Sequence, residues 1–238
     1  MRVLALDTAT QNCSAALLID GRLTAREQLL ERGHAEHILP MIEEVLAEAE
    51  AGLATLTAIA FGRGPGAFTG VRLAASITQG IAYATGLPVV PVSDLRAVAQ
   101  RLLFAHPGAD RVLVCNDARM REVYWACFAR SSAGLAEAAG VEHVSGPDQV
   151  ALPPEWSSNL GQIRPWGAGT GFGIYPGLRA AQSGALAGIE ERLYPRAAEV
   201  ALLAAPDVAA GRLLDPEEAL PVYLREDVAQ PAGGRSSN

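Results

Sequence analysis

Two short stretches carry residues that could meet a phosphate. Asp7-Thr8-Ala9-Thr10 closes the apolar run at residues 2–8, and Gly62-Arg63-Gly64-Pro65-Gly66 follows the apolar run at 57–61. A carboxylate with adjacent hydroxyls at a strand end suits nucleotide phosphates or their metal ion. The same residues equally suit an Asx turn that only closes the strand. Glycines ahead of a helix let backbone N–H groups approach an anion, and the helix N-terminus adds positive potential. The alternative is a tight connection that binds nothing. The loop matches neither G-x-x-x-x-G-K-[ST] nor G-x-G-x-x-G. His34 and His37 have the i, i+3 spacing of metal ligands, but His106 and His143, the other two histidines, supply no matching third ligand. No metal site is expected. No G-x-S-x-G elbow occurs, so a hydrolase triad has no support. All 19 basic residues are arginine. Walker, Schiff-base and ATP-anchoring lysines are therefore excluded.

The elements around these residues read as mixed α/β. Residues 2–8, 14–20 and 22–30 predict three strands, with Asp20-Gly21 as a hairpin turn. Ile38, Ile42, Val45 and Ala49 recur at helical spacing and predict a helix over 34–50, which Pro40 should kink. A strand at 57–61 leads through the glycine loop to a helix that Thr69 should cap and Gly86 should end. That helix carries Ser76, Gly80 and Ala84 four apart, with Ala75 beside them. An interior glycine costs about 1 kcal/mol relative to alanine, so a close packing partner is expected, internal or external. Strand 89–92, helix 94–105, strand 111–117 and a strand from Arg119 to Arg130 follow. The pattern weakens after residue 131, where residues 145–177 are rich in Gly, Pro and Ser. A helix at 196–211 and a terminal tail complete the chain. An antiparallel start followed by helix crossovers is the order of an actin-, hexokinase- or Hsp70-type lobe.

The chain has 238 residues, a formal charge of -7 and 50% hydrophobic residues, with only 5% aromatic. Ala, Leu and Val must therefore build the interior. An acidic chain with scattered arginines lacks the basic stripe of a nucleic-acid binder. No apolar run approaches the roughly 18 residues of a membrane span. Cys13, Cys115 and Cys127 are odd in number and set in apolar stretches. They read as reduced thiols of a cytoplasmic protein.

Residues 4–10 (LALDTAT), 34–46 (HAEHILPMIEEVL), 60–95 (AFGRGPGAFTGVRLAASITQGIAYATGLPVVPVSDL), 117–126 (DARMREVYWA) and 221–226 (PVYLRE) together resemble the TsaB family, also called YeaZ and once grouped with glycoprotease-like peptidases. The resemblance runs from residue 1 to about 228. It implies an actin-like ATPase (ribonuclease H-like) α/β fold of two lobes, the second reduced, with lobes at 1–106 and 107–228 and a flexible tail at 229–238. It implies a non-catalytic accessory subunit that binds the catalytic paralogue TsaD, with the ATPase TsaE, for threonylcarbamoyl transfer to the adenosine next to the tRNA anticodon. It also implies homodimerisation through the same face, only indirect contact with tRNA, and no tightly bound cofactor, with ATP or ADP at or near the interface of the complex. The nucleotide-proximal positions would be Asp7, Thr8, Thr10, Gly62, Arg63, Gly64 and Gly66.

The departures from the catalytic paralogue matter as well. Its H-x-x-x-H metal pair falls here on Asp94 and Val98, which cannot hold a metal as two imidazoles do. The resemblance places the docking surface on the helices at 34–48 and 69–84. The candidate contacts are His34, His37, Ile38, Met41, Ile42, Val45, Thr69, Arg72, Leu73, Ser76, Gln79, Gly80 and Tyr83, some of which must face the sheet instead. A lasting interface there should bury on the order of 1,200–2,000 Å². The competing readings are a metallopeptidase-like hydrolase and a weak nucleotide-binding module of the actin-like superfamily.

Overall fold

The computed structural model describes residues 1–158 and 163–225; the tail expected at 229–238 lies outside them. Two apolar runs give β1 (Arg2–Asp7) and β2 (Asn12–Ile19), and the largely exposed, more polar β3 (Arg22–Leu29) follows through a tight turn. Asp20 and Gly21 both sit at positive φ, 48° and 88°, the geometry of a two-residue hairpin turn. α1 (His34–Glu48) is one continuous helix, and Pro40, expected to bend it, does not interrupt it. β4 (Ala58–Gly62), α2 (Phe68–Thr85), β5 (Val89–Val92) and α3 (Asp94–Ala105) follow. Thr69 is not the cap expected of it. The cap is Ala67, two residues earlier, with no side-chain bond there. Gly86 does end α2, in the left-handed conformation at φ 69°.

The second half contributes β6 (Arg111–Asp117), β7 (Val123–Arg130), β8 (Ala136–Ala138), β9 (His143–Ser145), α4 (Pro154–Ser157), β10 (Trp166–Ala168), α5 (Gly171–Ile174), α6 (Pro176–Ser183), β11 (Ile189–Glu190) and α7 (Ala197–Ala209). β7 begins four residues later than the expected strand. Arg119, Met120 and Arg121 all stand at positive φ, between 52° and 63°, and curl the chain before it can pair.

The strands form two sheets, ordered β3-β2-β1-β4-β5 and β11-β10-β6-β7-β8. Read from β8, the second repeats the first: an antiparallel trio followed by two parallel strands. Alternation along the strands divides the first sheet's side chains. Leu4, Leu6, Leu17, Ile59 and Phe61 meet α1 and α2 on one face. Val3, Ala5, Leu18, Ala60 and Val90 meet α7 on the other. Burial on both faces explains why these strands read as unbroken apolar runs. α3 covers the near face of the second sheet through Leu95, Val98, Leu102 and Leu103 and also packs against α7.

The mixed α/β, actin-like architecture of two related sheets is thus the one expected. The expected boundary near residue 106 separates the strands of the two sheets but not the rest of the chain. α7 returns to the first sheet, as does Leu214, which bridges to Val89. Chain order and spatial order differ because the first sheet needs a helix on its second face. Among the described residues, no helix is long and apolar enough to cross a membrane.

Candidate functional site

The two phosphate-type loops close on each other. Asp7 Oδ1 accepts the Ala9 N–H at 3.0 Å, so the Asx turn is formed. Thr8 Oγ1 donates to the Gly70 carbonyl at 2.7 Å, and the Ala67 N–H reaches the Ala9 carbonyl at 2.7 Å. A Cβ on Gly66 would lie 2.5 Å from the Ala9 carbonyl oxygen, and one on Gly70 would collide with that of Thr8. The glycines therefore serve chain-to-chain approach. Gly64 donates its N–H to Asp94 Oδ2 and accepts the Asp94 N–H at 3.0 Å. Arg63 is held by Glu142 at 3.2 Å, while its carbonyl accepts the Val222 N–H at 2.7 Å. Asp7, Thr8, Gly62 and Gly64 are buried; Thr10, Arg63 and Gly66 are half-buried. In the single chain four of the seven positions expected near nucleotide are buried, and Asp7, Thr8 and Gly64 are bonded within the chain.

Asp94 and Val98 are both fully buried. Val98 packs in the apolar seam between α3 and the second sheet. His34 donates from Nε2 to the Thr10 carbonyl at 2.8 Å, which ties the start of α1 to the first turn. Among the described residues, no group of three or more His, Cys, Asp or Glu side chains is placed to hold a metal. The three cysteines are unpaired and buried. Burial pushes the Cys13 thiol up to about 11 and that of Cys127 up to about 12, so neither is a ready nucleophile.

The helix faces need one correction. Ile38, Met41, Ile42 and Val45, expected to touch a partner, lie in the first lobe's core with Leu6, Leu17 and Phe61. The i, i+3, i+4, i+7 pattern that made α1 look adhesive is the pattern that seats it on its own sheet. His34 and His37 stay half-exposed. On α2 the candidates hold together. Thr69, Arg72, Ser76, Gly80 and Tyr83 are exposed, with Leu73 and Gln79 half-exposed, in one stripe along the helix. A Cβ on Gly80 would meet nothing within 4 Å, so no internal packing partner explains this glycine.

A neighbour of that stripe comes from elsewhere in the chain. The segment after residue 214 runs along α2 and, with Arg72, Ala75, Ser76 and Gln79, forms an open groove of about 370 Å³. Tyr223 accepts the Arg72 Nε–H at 2.7 Å. The Arg72 guanidinium lies 3.7 Å from the Phe68 ring centre and 5.6 Å from that of Tyr223. Phe68, Tyr83, Leu220 and Tyr223 are 44–61% exposed, an apolar and aromatic concentration typical of recognition surfaces. The sequence marks residues 221–226 as a motif but does not connect them to α2.

The family described as "TsaD: tRNA N6-adenosine threonylcarbamoyltransferase" matches residues 28–229. The "tRNA threonylcarbamoyladenosine biosynthesis protein TsaB" of Escherichia coli (strain K12) is 40% identical over 96% of each chain. The protein of that name from Haemophilus influenzae is 37% identical over 96% of this chain and 95% of its own. A solved structure described as "YeaZ from Pseudomonas aeruginosa" superposes with a TM-score of 0.82 at 41% identity, covering 94% of this chain and 99% of the other. Sequence identity across nearly the whole length and a shared two-sheet fold agree. The chain belongs to the TsaB family of tRNA threonylcarbamoyladenosine biosynthesis proteins, within the wider TsaD-type family.

Proposed function

We propose that this chain is a non-catalytic scaffold that presents α2 and the segment alongside it to the TsaD paralogue, in an assembly that also uses the ATPase TsaE. The carrying observation is the exposed stripe Thr69, Arg72, Ser76, Gly80 and Tyr83, with open space beside Gly80 and aromatic groups at its edge. A small residue on an exposed helix face allows another helix to approach closely, and an arginine held over one ring and beside a second suits an interface anchor. The same face would serve a homodimer, in competition with TsaD. The acidic chain contributes no basic stripe of its own, so tRNA is met through the partner. ATP or ADP would be met only within the assembly, since Asp7 is bonded to Ala9, Thr8 to Gly70 and Gly64 to Asp94 in the single chain. The assembly works in the cytoplasm, where its tRNA is modified.

Reconstitution of tRNA threonylcarbamoylation from TsaD, TsaE and the threonylcarbamoyl donor tests this reading. Omitting this subunit should abolish modification and adding it back should restore it. Full modification without it, or turnover by this chain alone, would remove the scaffold role.

A further inference from the structure

Asp7 ends β1 and Asp94 opens α3, directly beyond β5. In the sheet, β4 lies between β1 and β5, so the two carboxyls approach across the end of β4. Gly62 is the residue at that point. A Cβ there would fall on both Asp7 Oδ2 and Asp94 Oδ1. Both side chains are fully buried. Their outer oxygens are satisfied by backbone: Asp7 Oδ1 by Ala9 N–H, Asp94 Oδ2 by Gly64 N–H. Their inner oxygens, Asp7 Oδ2 and Asp94 Oδ1, receive no donor from any other described residue. The hydrogen bond open to them is the one to each other, and two carboxylate oxygens cannot make it without a proton.

We infer that Asp7 and Asp94 form a proton-binding site, in which one proton carried on Asp94 is donated to Asp7 Oδ2 and pins the end of the first strand to the start of α3. A metal suits the position poorly. Two inner oxygens in a glycine-walled gap fall short of the four to eight ligands that zinc, magnesium or calcium takes. A buried carboxylate cannot stay charged beside a second one, and sharing a single proton is the general resolution for such pairs.

The surroundings agree. Burial first, then the Asp7 charge, holds the Asp94 carboxyl well above the usual carboxylate range. Burial also raises Asp7. From α1, His34 favours the anion on Asp7; from α7, Glu199 opposes it, although Glu199 is itself paired with Arg196. From the glycine loop, Arg63 favours the anion on Asp94, and it is paired with Glu142. From β2, Cys13 faces Asp7 as an unionised thiol. Groups raised above their unfolded values contribute stability that is fully present below the unfolded carboxylate range. That contribution is lost as pH rises through the pair's titration.

Infrared spectroscopy of the full chain at neutral pH tests this directly. The wild type should show the carbonyl stretch of a protonated, buried carboxyl, shifted in heavy water, and Asp94→Asn should lack it. The amide introduced by Asp94→Asn keeps an acceptor for the Gly64 N–H and supplies a permanent donor to Asp7. In denaturant unfolding across the neutral range, the wild-type folded-to-unfolded ratio should therefore fall, relative to the variant, by up to about tenfold per pH unit. Parallel pH profiles would overturn the inference. So would a wild-type spectrum without the protonated band, or stoichiometric metal in the dialysed protein. The spectrum requires only the wild type, so it decides even where the variant does not fold.

Discussion

α1 and α2 cover the same face of the same sheet, but they divide their residues differently. α1 turns its large aliphatic groups inward: Ile38, Met41, Ile42 and Val45 are buried, and its outer face is led by Glu36, Glu43, Glu44 and Glu48. α2 buries a stripe of mostly small residues, Val71, Ala74, Ala75, Thr78 and Ala82, and leaves Arg72, Ser76, Gly80 and Tyr83 outside. A helix that is apolar on one stripe and acidic on the other is complete once folded. One that leaves a glycine with open space beside it and aromatics about half exposed keeps surface to spare. Apolar spacing alone does not mark an interface; apolar or small residues left over after the sheet is covered do.

The contrast can be broken most severely at α1. Ile38→Ala should cost about 2–5 kcal/mol in urea unfolding, as for a core aliphatic residue; a neutral result would put Ile38 at a partner surface after all. Next in size is Gly80→Trp. It should abolish co-elution with TsaD in size-exclusion chromatography while changing unfolding free energy by no more than about 1 kcal/mol, since the side chain enters open space. Co-elution as strong as wild type would leave α2 without a role in docking. Arg72→Ala, which dissolves the contact with Phe68 and Tyr223, should weaken the same association on the order of tenfold, measured by calorimetry. Unchanged affinity would reduce that cluster to a local brace. Smallest should be Leu39→Ser on the outer face of α1, where Leu39 is 48% exposed. A stability change under about 0.5 kcal/mol is expected, with docking intact; lost docking would return α1 to the interface.

The two lobes sharpen the same lesson about closed and open surfaces. In the first, Gly62, Gly66 and Gly70 bring the glycine loop onto the Asp7–Thr10 turn. In the second, Gly169 and Gly171 press onto Cys115 and Asn116 at the end of β6. The repeated sheet order thus repeats a tight junction, but only the first junction encloses two acids.

Much was legible in order and spacing alone. The antiparallel start, the Asp20-Gly21 turn, the helix stop at Gly86 and the α/β class follow from local rules in which each residue acts on its neighbours. The family is carried by segments 4–10, 34–46 and 60–95, and the exclusion of lysine chemistry by composition. Tertiary structure decided which face of α1 was already used and which part of α2 was left over, because burial depends on the sheet beneath. It brought residues 220–223 to α2 from the far end of the chain. It also set Asp7 against Asp94, residues that belong to different strand–helix junctions and meet only because β1, β4 and β5 lie side by side. Long-range juxtaposition leaves no periodic trace in a sequence, and the chemistry of that carboxyl pair exists only after the sheet has formed.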